Sequence, residues 1–124
     1  MLAQKYREEL RIKTPTVEQQ VQFLSGGNQQ KVVISKVLST NPRVILMDEP
    51  TRGIDVGAKA EIFRLMRELA NSGVSIIMFS SELPEVLKMS DRILVMYNGS
   101  VIRELDPSAT SQDQVLLVAL GEKS

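Results

Sequence analysis

An uninterrupted apolar run, Val44 to Met47, constrains the fold of this chain more than any other segment. Asn41-Pro42 precedes the run and Asp48-Glu49-Pro50 follows it, so turn residues limit it to the length of a strand. Because no polar residue interrupts it, we expect a strand that is buried on both faces, as in a parallel sheet. Val74 to Phe79 predicts a second buried strand.

Helical patterns alternate with these strands. Ser25 is a natural N-cap for the helix that follows it, and Ser111-Gln112-Asp113-Gln114 has the form of a capping box. We expect an extended connector over residues 16–24 and a loop over residues 50–57. The predicted helices are Met1 to Arg11, Ser25 to about Leu38, one with a core stripe of Ile62, Leu65, Met66 and Leu69, a short one within Ser80 to Met89, and one over Val115 to Leu120.

A hairpin signal completes the pattern. Asn98-Gly99 favours a type I′ turn between Arg92 to Tyr97 and Ser100 to Leu105, because both central residues of that turn need a positive φ. The order helix, strand, helix, strand, helix, hairpin, helix predicts an α/β fold with a partly parallel sheet.

Composition and charge limit the possible functions and disfavour a nucleic-acid binder without excluding one. Fifteen basic residues balance fifteen acidic ones, so no overall positive field favours nucleic acid. The chain has no cysteine and no histidine, which removes disulfides, thiolate metal sites and the usual general base. No apolar run approaches the roughly 20 residues that span a bilayer. We therefore expect a cytosolic protein that reaches a membrane only through a partner.

Two carboxylates follow the first strand directly. Asp48 and Glu49 would lie at the carboxyl edge of the sheet, where α/β folds bind ligands. One carboxylate could help to hold Mg²⁺ beside phosphates while the other polarises an attacking water. The two side chains can serve one site only if the chain leaves the strand there, which Pro50 favours. Alternatively, Asp-Glu-Pro merely ends a strand.

Ser25-Gly26-Gly27 precedes a predicted helix. Free N–H groups and the positive end of the helix dipole favour an anion there, and two glycines allow close approach of a phosphate. The alternative is an ordinary helix cap after a flexible turn.

Together these segments resemble the ATP-binding-cassette (ABC) ATPases. Leu24 to Lys31 resembles the signature motif, Val44 to Thr51 the Walker B strand, and Gly53-Ile54-Asp55 the D-loop. Ser80 to Val86 resembles the switch segment. Three segments resemble the second cassette of the tandem ATPase subunits that drive monosaccharide importers. These segments are Asn28 to Lys31, Thr51 to Lys59 and Ser81 to Val86.

The resemblance implies a fold and a domain assignment. The fold would be an incomplete P-loop NTPase (RecA-like ABC ATPase core) without the Walker A strand and loop. Residues 1–124 would form the C-terminal portion of a nucleotide-binding domain. Residues 1–24 would be the end of the helical subdomain and a connector, and residues 25–124 the signature helix, Walker B, D-loop, switch segment, C-terminal hairpin and helix.

The resemblance also assigns roles to residues. Asp48 would support Mg²⁺, through water, and Glu49 would be the catalytic base or the residue that positions the attacking water. Asp55 would bridge two cassettes, and Ser81 would occupy the switch position at which the family usually has a histidine. The signature residues would bind the γ-phosphate of ATP that the partner cassette holds; these are Ser25, Gly26, Gly27 and Gln29.

Ser81 puts the rate of hydrolysis in question, because a serine is shorter and uncharged. An alternative role for Ser81 is to cap the following helix. We expect Lys31 to be a solvated charge rather than a ligand.

No Gly-x-x-x-x-Gly-Lys-Ser/Thr phosphate loop occurs in the chain. We therefore expect that the chain alone does not hydrolyse ATP, and that ATP and Mg²⁺ act only in the complete subunit. The resemblance also implies that the absent strand lies between the two predicted strands. These two strands would then either pair directly or recruit another chain, and we expect self-association.

The expected partners are a complementary cassette that carries Walker A and sugar-permease membrane subunits, with no nucleic acid. The expected location is cytoplasmic and peripheral, on the inner face of the cell membrane. Two alternatives remain open. One is a fragment of a nucleic-acid-associated ABC-type ATPase, and the other is a stand-alone, non-enzymatic partner of another cassette.

Overall fold

The computed structural model describes residues 1–121, so residues 122–124 of the predicted domain lie outside the described residues. The chain forms two units, the first from Met1 to Phe79 and the second from Ser80 onward. The predicted α/β fold with a small parallel sheet is confirmed.

The first unit contains three helices and two strands. The first helix, Leu2–Glu9, ends five residues before Thr14, and a single 3-10 turn, Val21–Phe23, interrupts the connector that we expected to be extended. The elements are α1 (Leu2–Glu9), α2 (Gly26–Leu38), β1 (Val44–Asp48), α3 (Val56–Asn71) and β2 (Ser75–Phe79). Helix α3 begins at Val56, so the predicted loop over residues 50–57 is two residues shorter than expected.

Strands β1 and β2 pair directly and in parallel. The register runs from Val44 opposite Ser75 to Asp48 opposite Phe79. Of the two outcomes expected for these strands, direct pairing is therefore the one observed.

The expectation that both strands are buried on both faces is wrong. Ile45 and Met47 are buried, whereas Val44 and Leu46 on the other face of β1 are 54% and 67% exposed. Strand β2 alternates in the same way and contains no fully buried residue. Helix α3 packs against β2 and supplies the buried Ile62 and Met66, so the described residues cover one face of the sheet and leave the other accessible.

The second unit is a hairpin with two helices. It comprises α4 (Leu83–Met89), β3 (Ile93–Tyr97), β4 (Ser100–Leu105) and α5 (Gln112–Ala119). The predicted antiparallel pairing is confirmed, and both turn residues have a positive φ, 48° at Asn98 and 79° at Gly99. Its core centres on Ile93, Val95 and Val118. The capping box of α5 is also confirmed, since Ser111 and Gln114 exchange side-chain to backbone hydrogen bonds.

Candidate functional site

The end of β1 presents the two predicted carboxylates. Asp48, the last residue of the strand, is exposed, and Glu49 is partly buried. Glu49 adopts a left-handed backbone conformation with φ 47°, which is rare for a residue other than glycine, asparagine or aspartate. The chain thus leaves the strand at Glu49, the departure that two neighbouring carboxylates need to serve one site.

Hydrogen bonds hold the backbone of Glu49 on both sides. Its N–H donates to the carbonyl of Phe79 at 2.7 Å, and its own carbonyl accepts from the N–H of Arg52 at 3.1 Å. The following residues, Pro50 and Thr51, are buried. The loop after β1 is therefore anchored to β2 and to itself.

Ser25 is the N-cap of α2, as predicted. Its Oγ accepts from the backbone N–H of Asn28 at 3.3 Å and from Asn28 Nδ2 at 2.8 Å. Asn28 Oδ1 accepts in turn from the N–H of Lys13 at 2.9 Å. Asn28, for which we predicted no contact of its own within the Leu24 to Lys31 segment, therefore orients the serine that we expected to contact a phosphate.

The two glycines lie against the start of α3. A Cβ on Gly27 would stand only 2.6 Å from the Cβ of Ala58, so the helices could not approach as closely with any other residue there. A Cβ on Gly26 would meet the carbonyl of Gly53 at 3.5 Å, an ordinary contact. Gly26 is exposed and Gly27 buried. Helix packing thus requires Gly27, whereas Gly26 leaves its backbone open to a ligand.

The predicted site residue Asp55 is the N-cap of α3, and its side chain accepts from the N–H of Ala58 at 2.9 Å. Because Ala58 also contacts Gly27, the N-termini of α2 and α3 lie side by side. The first unit therefore brings Ser25, Gly27 and Asp55 to one place. Ser81 belongs to the second unit, where Glu82 rather than Ser81 is the N-cap of α4, so the alternative role of Ser81 as the cap is wrong.

Gln29 is occupied by the backbone of its own segment. Its Nε2 donates to the carbonyl of Leu24 at 2.9 Å. The neighbouring Gln30 instead reaches the loop after β1 and donates to the carbonyl of Pro50 at 3.0 Å. Successive residues of a helix point about 100° apart, so these adjacent glutamines hold different segments.

The expectation that Lys31 is a solvated charge is wrong. Lys31 is 4% exposed, and its Nζ donates to Glu61 Oε2 at 2.6 Å and to the carbonyl of Arg11 at 3.3 Å. The hydrogen bond and the charge of Lys31 lower the pKa of Glu61. A signal was present in the sequence, because Lys31 lies four residues after Gly27 and three before Ile34 and so shares their buried face.

A cavity of about 290 Å³ lies elsewhere in the first unit, between α1, the connector and α2. Leu2, Val17 and Val32 are among its lining residues, and none of the predicted site residues is. It therefore adds nothing to the candidate site.

Asp48 alone does not make a magnesium site. Among residues 1–121, no cluster of three or more acidic side chains is arranged to hold a metal ion. Magnesium keeps several waters and is typically bound by one or two carboxylates together with substrate phosphates. Asp48 fits that role only when a nucleotide supplies the remaining oxygens. Within the same described residues, no helix is long and apolar enough to cross a membrane.

Comparison with known proteins gives consistent matches. The model of the ABC transporter family matches residues 2–52. The xylose import ATP-binding protein of Thermoanaerobacter pseudethanolicus is 56% identical over 121 residues, which are 98% of this chain and 24% of that protein. A putative ribose/galactose/methyl galactoside import ATP-binding protein of Rhizobium meliloti is 60% identical over 110 residues, 89% of this chain and 21% of that protein. The chain therefore spans about a quarter of the length of these relatives.

Solved structures agree with this result. A nucleotide-free ATP-binding cassette from an ABC transporter superposes with a TM-score of 0.78 at 30% identity, covering 98% of this chain and 46% of that chain. A bacterial ABC transporter cassette solved in a dimeric structure superposes with a TM-score of 0.71 at 27% identity, covering 86% and 46% of the two chains.

Proposed function

This chain belongs to the ATP-binding-cassette ATPases of ABC transporters, and on that premise we propose that it forms part of the ATP-hydrolysing subunit of a monosaccharide importer. The relatives that resemble it over most of its length are named for the import of xylose and of ribose, galactose or methyl galactoside. All of these are monosaccharides or simple derivatives of them, which supports the sugar class without selecting one sugar.

The hydrolytic role rests on one observation, the left-handed Glu49 next to the exposed Asp48 at the carboxyl end of β1. Asp48 would hold Mg²⁺ through water while the nucleotide phosphates complete the coordination. Glu49 would accept the proton of the attacking water or orient that water. Residues held in this conformation cluster at active sites but also occur at helix ends, as Arg11 does, so the strain at Glu49 supports a catalytic position only together with the adjacent carboxylate of Asp48.

The signature residues would act on a nucleotide held by another cassette. Ser25 and Gly26 are exposed at the N-terminus of α2, where N–H groups and the helix dipole favour a phosphate. Gly27 would contribute its backbone N–H and Gln29 its side chain to the same site. Asp55, beside them at the start of α3, would face the partner cassette, and a related cassette has been solved as a dimer.

The chain alone would bind ATP weakly and would not hydrolyse it. A phosphate loop holds the β- and γ-phosphates in such enzymes through its backbone and a lysine, and the printed sequence contains no such motif. A complementary cassette with Walker A would supply this part. Ser81, in place of a histidine, would lower the rate in the complete site.

The proposed subunit would work at the inner face of the cell membrane. It would bind sugar-permease membrane subunits and remain on the cytoplasmic side, since its contribution is ATP hydrolysis. The balance of fifteen basic and fifteen acidic residues gives no support to a nucleic-acid partner.

The test compares this chain with the complete ATP-binding subunit that contains it. We expect Mg²⁺-dependent, sugar-stimulated ATP hydrolysis only when the complete subunit is reconstituted with its permease. Glu49→Gln should lower kcat at least about a hundredfold, because it removes the base. Glu9→Gln, an exposed change on α1, is the matched control and should leave kcat unchanged.

If the isolated chain hydrolyses ATP and Glu49→Gln abolishes that activity, the chain does not need a phosphate loop from another cassette, which would contradict the proposal. Full activity of the Glu49→Gln subunit would contradict the role of Glu49.

A further inference from the structure

The hydrogen bond between Gln30 and Pro50 connects α2 to the loop that carries Glu49. Gln30 Nε2 donates to the carbonyl of Pro50 at 3.0 Å, and the side chain of Pro50 is fully buried. We propose that Gln30 is a positioning residue that fixes the Pro50 peptide and thereby keeps Glu49 in its left-handed conformation. The consequence for hydrolysis rests on the proposed function, whereas the effect on the backbone does not.

Glu49 needs such support because its conformation is intrinsically unfavourable. A left-handed residue other than glycine persists only where its surroundings over-determine it. The bonds to Phe79 and Arg52 hold the N–H and the carbonyl of Glu49 itself. Gln30 holds the next carbonyl along the chain and does so from a different element. Rotation of Glu49 toward an ordinary φ would move the Pro50 carbonyl away from this donor.

Helix α2, which carries Gln30, is fixed to α3 on both sides of this residue. Three residues earlier, Gly27 packs directly against Ala58 of α3, and one residue later Lys31 bonds to Glu61 of the same helix. Contacts on both sides of Gln30 therefore fix α2 to α3. A shift of the signature end of α2 would be transmitted through the Gln30 amide to the backbone beside Glu49.

The test separates a hydrogen-bonding role from a packing role. Gln30→Met keeps the length of the side chain and removes the donor, whereas Gln30→Lys keeps a donor and changes the shape. If the donor matters, amide exchange at Glu49 and Arg52 should accelerate at least about tenfold in Gln30→Met, and Gln30→Lys should largely restore protection. Exchange at Ile34, within α2, should not change in either variant.

Gln29→Met is the matched control for exchange. Gln29 lies on the same helix and also donates to a backbone carbonyl, but to that of Leu24. It should leave Glu49 protection unchanged. Unchanged exchange at Glu49 in Gln30→Met would overturn the proposal. Exchange at Glu49 that is as fast in Gln30→Lys as in Gln30→Met would also overturn it. If Gln30→Met unfolds the chain, the comparison of Gln30→Lys with Gln30→Glu decides, because only the lysine donates at neutral pH.

A second measurement connects the geometry to catalysis. In the complete subunit reconstituted with its permease, Gln30→Met should lower kcat about tenfold with little change in KM, and Gln30→Lys should recover most of the loss. If the exchange result holds but the unmodified complete subunit, reconstituted with its permease, hydrolyses no ATP, the proposed function fails while the positioning of Glu49 stands. If the subunit is active and the exchange at Glu49 is insensitive to Gln30, the positioning role fails alone.

Discussion

At the scale of single residues, Lys31 shows how a charge can become part of a core. Its stem lies on the buried face of α2 with Gly27 and Ile34, and its ammonium meets Glu61 and the carbonyl of Arg11. Arg11 itself has φ 53°, so the lysine also closes the turn in which α1 ends. A buried ammonium is stable only when it is paired and hydrogen-bonded, and both conditions hold here.

This ion pair predicts a pH dependence of stability. Because Lys31 lowers the pKa of folded Glu61, the pair stabilises the fold above the ordinary glutamate pKa and loses its effect as the pH falls through the lowered value. Glu61→Gln should therefore reduce the free energy of unfolding at neutral pH, and the deficit should shrink on acidification below about pH 4.3. Urea unfolding over a pH series measures this difference.

Lys31→Met provides the control for that experiment. Without the ammonium, Glu61→Gln should lose most of this pH-dependent effect on the free energy of unfolding, because the charges of Lys13 and Arg64 lower the pKa of Glu61 less than Lys31 does. An equal pH dependence of Glu61→Gln in both backgrounds would mean that Lys31 is not the main cause of the lowered pKa of Glu61.

At the scale of elements, the contact between α2 and α3 organises the candidate site. Each helix begins at a residue with a predicted role, Ser25 for α2 and Asp55 for α3, and the two starts are adjacent because Gly27 admits Ala58. The position of these N-termini therefore depends on the absence of a side chain at residue 27. This is a packing requirement in addition to any contact with phosphate.

Gly27→Ala tests that requirement. We expect the free energy of unfolding in urea to fall by about 1–2 kcal/mol, because the new Cβ would stand 2.6 Å from the Cβ of Ala58. Gly57→Ala is the matched control. Its Cβ would meet only Asp55 Oδ1 at 3.5 Å, so the variant should be as stable as the original or more so.

The double variant Gly27→Ala with Ala58→Gly should recover part of the loss, since it removes the opposing Cβ. If Gly27→Ala alone is as stable as the unmodified chain, the helices can separate freely and the packing argument is wrong.

At the scale of the whole molecule, the uncovered face of the β1–β2 sheet is the main reason to expect that the isolated chain self-associates. This exposed sheet face consists of alternate residues of the two paired strands, Val44, Leu46, Ile77 and Phe79, each between 45% and 67% exposed. A contiguous apolar surface of this kind favours association. The solved cassettes are about twice as long as this chain, because the chain covers 46% of the length of each of them.

We expect the isolated chain to self-associate through the exposed sheet face. Leu46→Lys places a charge at its most exposed position and should lower the weight-average mass in sedimentation equilibrium toward that of a monomer. Val33→Lys makes the same change at a 52% exposed position on α2 and should leave the mass unchanged. A monodisperse monomer of the unmodified chain would contradict self-association.

Short-range patterns determined much of the fold and part of the site. Ser25, Ser111 and Asn98-Gly99 take the cap and turn conformations expected of them, because their interactions involve residues at most a few positions apart. The strand that ends at Asp48 follows from its composition and flanking turns in the same way. The motifs and their spacing were also enough to identify the ABC family.

Only the tertiary structure decided which distant segments meet. The burial of Lys31, the bond from Gln30 to Pro50 and the approach of Gly27 to Ala58 join residues 20 to 31 positions apart, and no local pattern specifies such pairs. The sheet face was mispredicted for the same reason. An apolar run specifies that a strand can be buried on both faces, but whether it is depends on which elements pack against it.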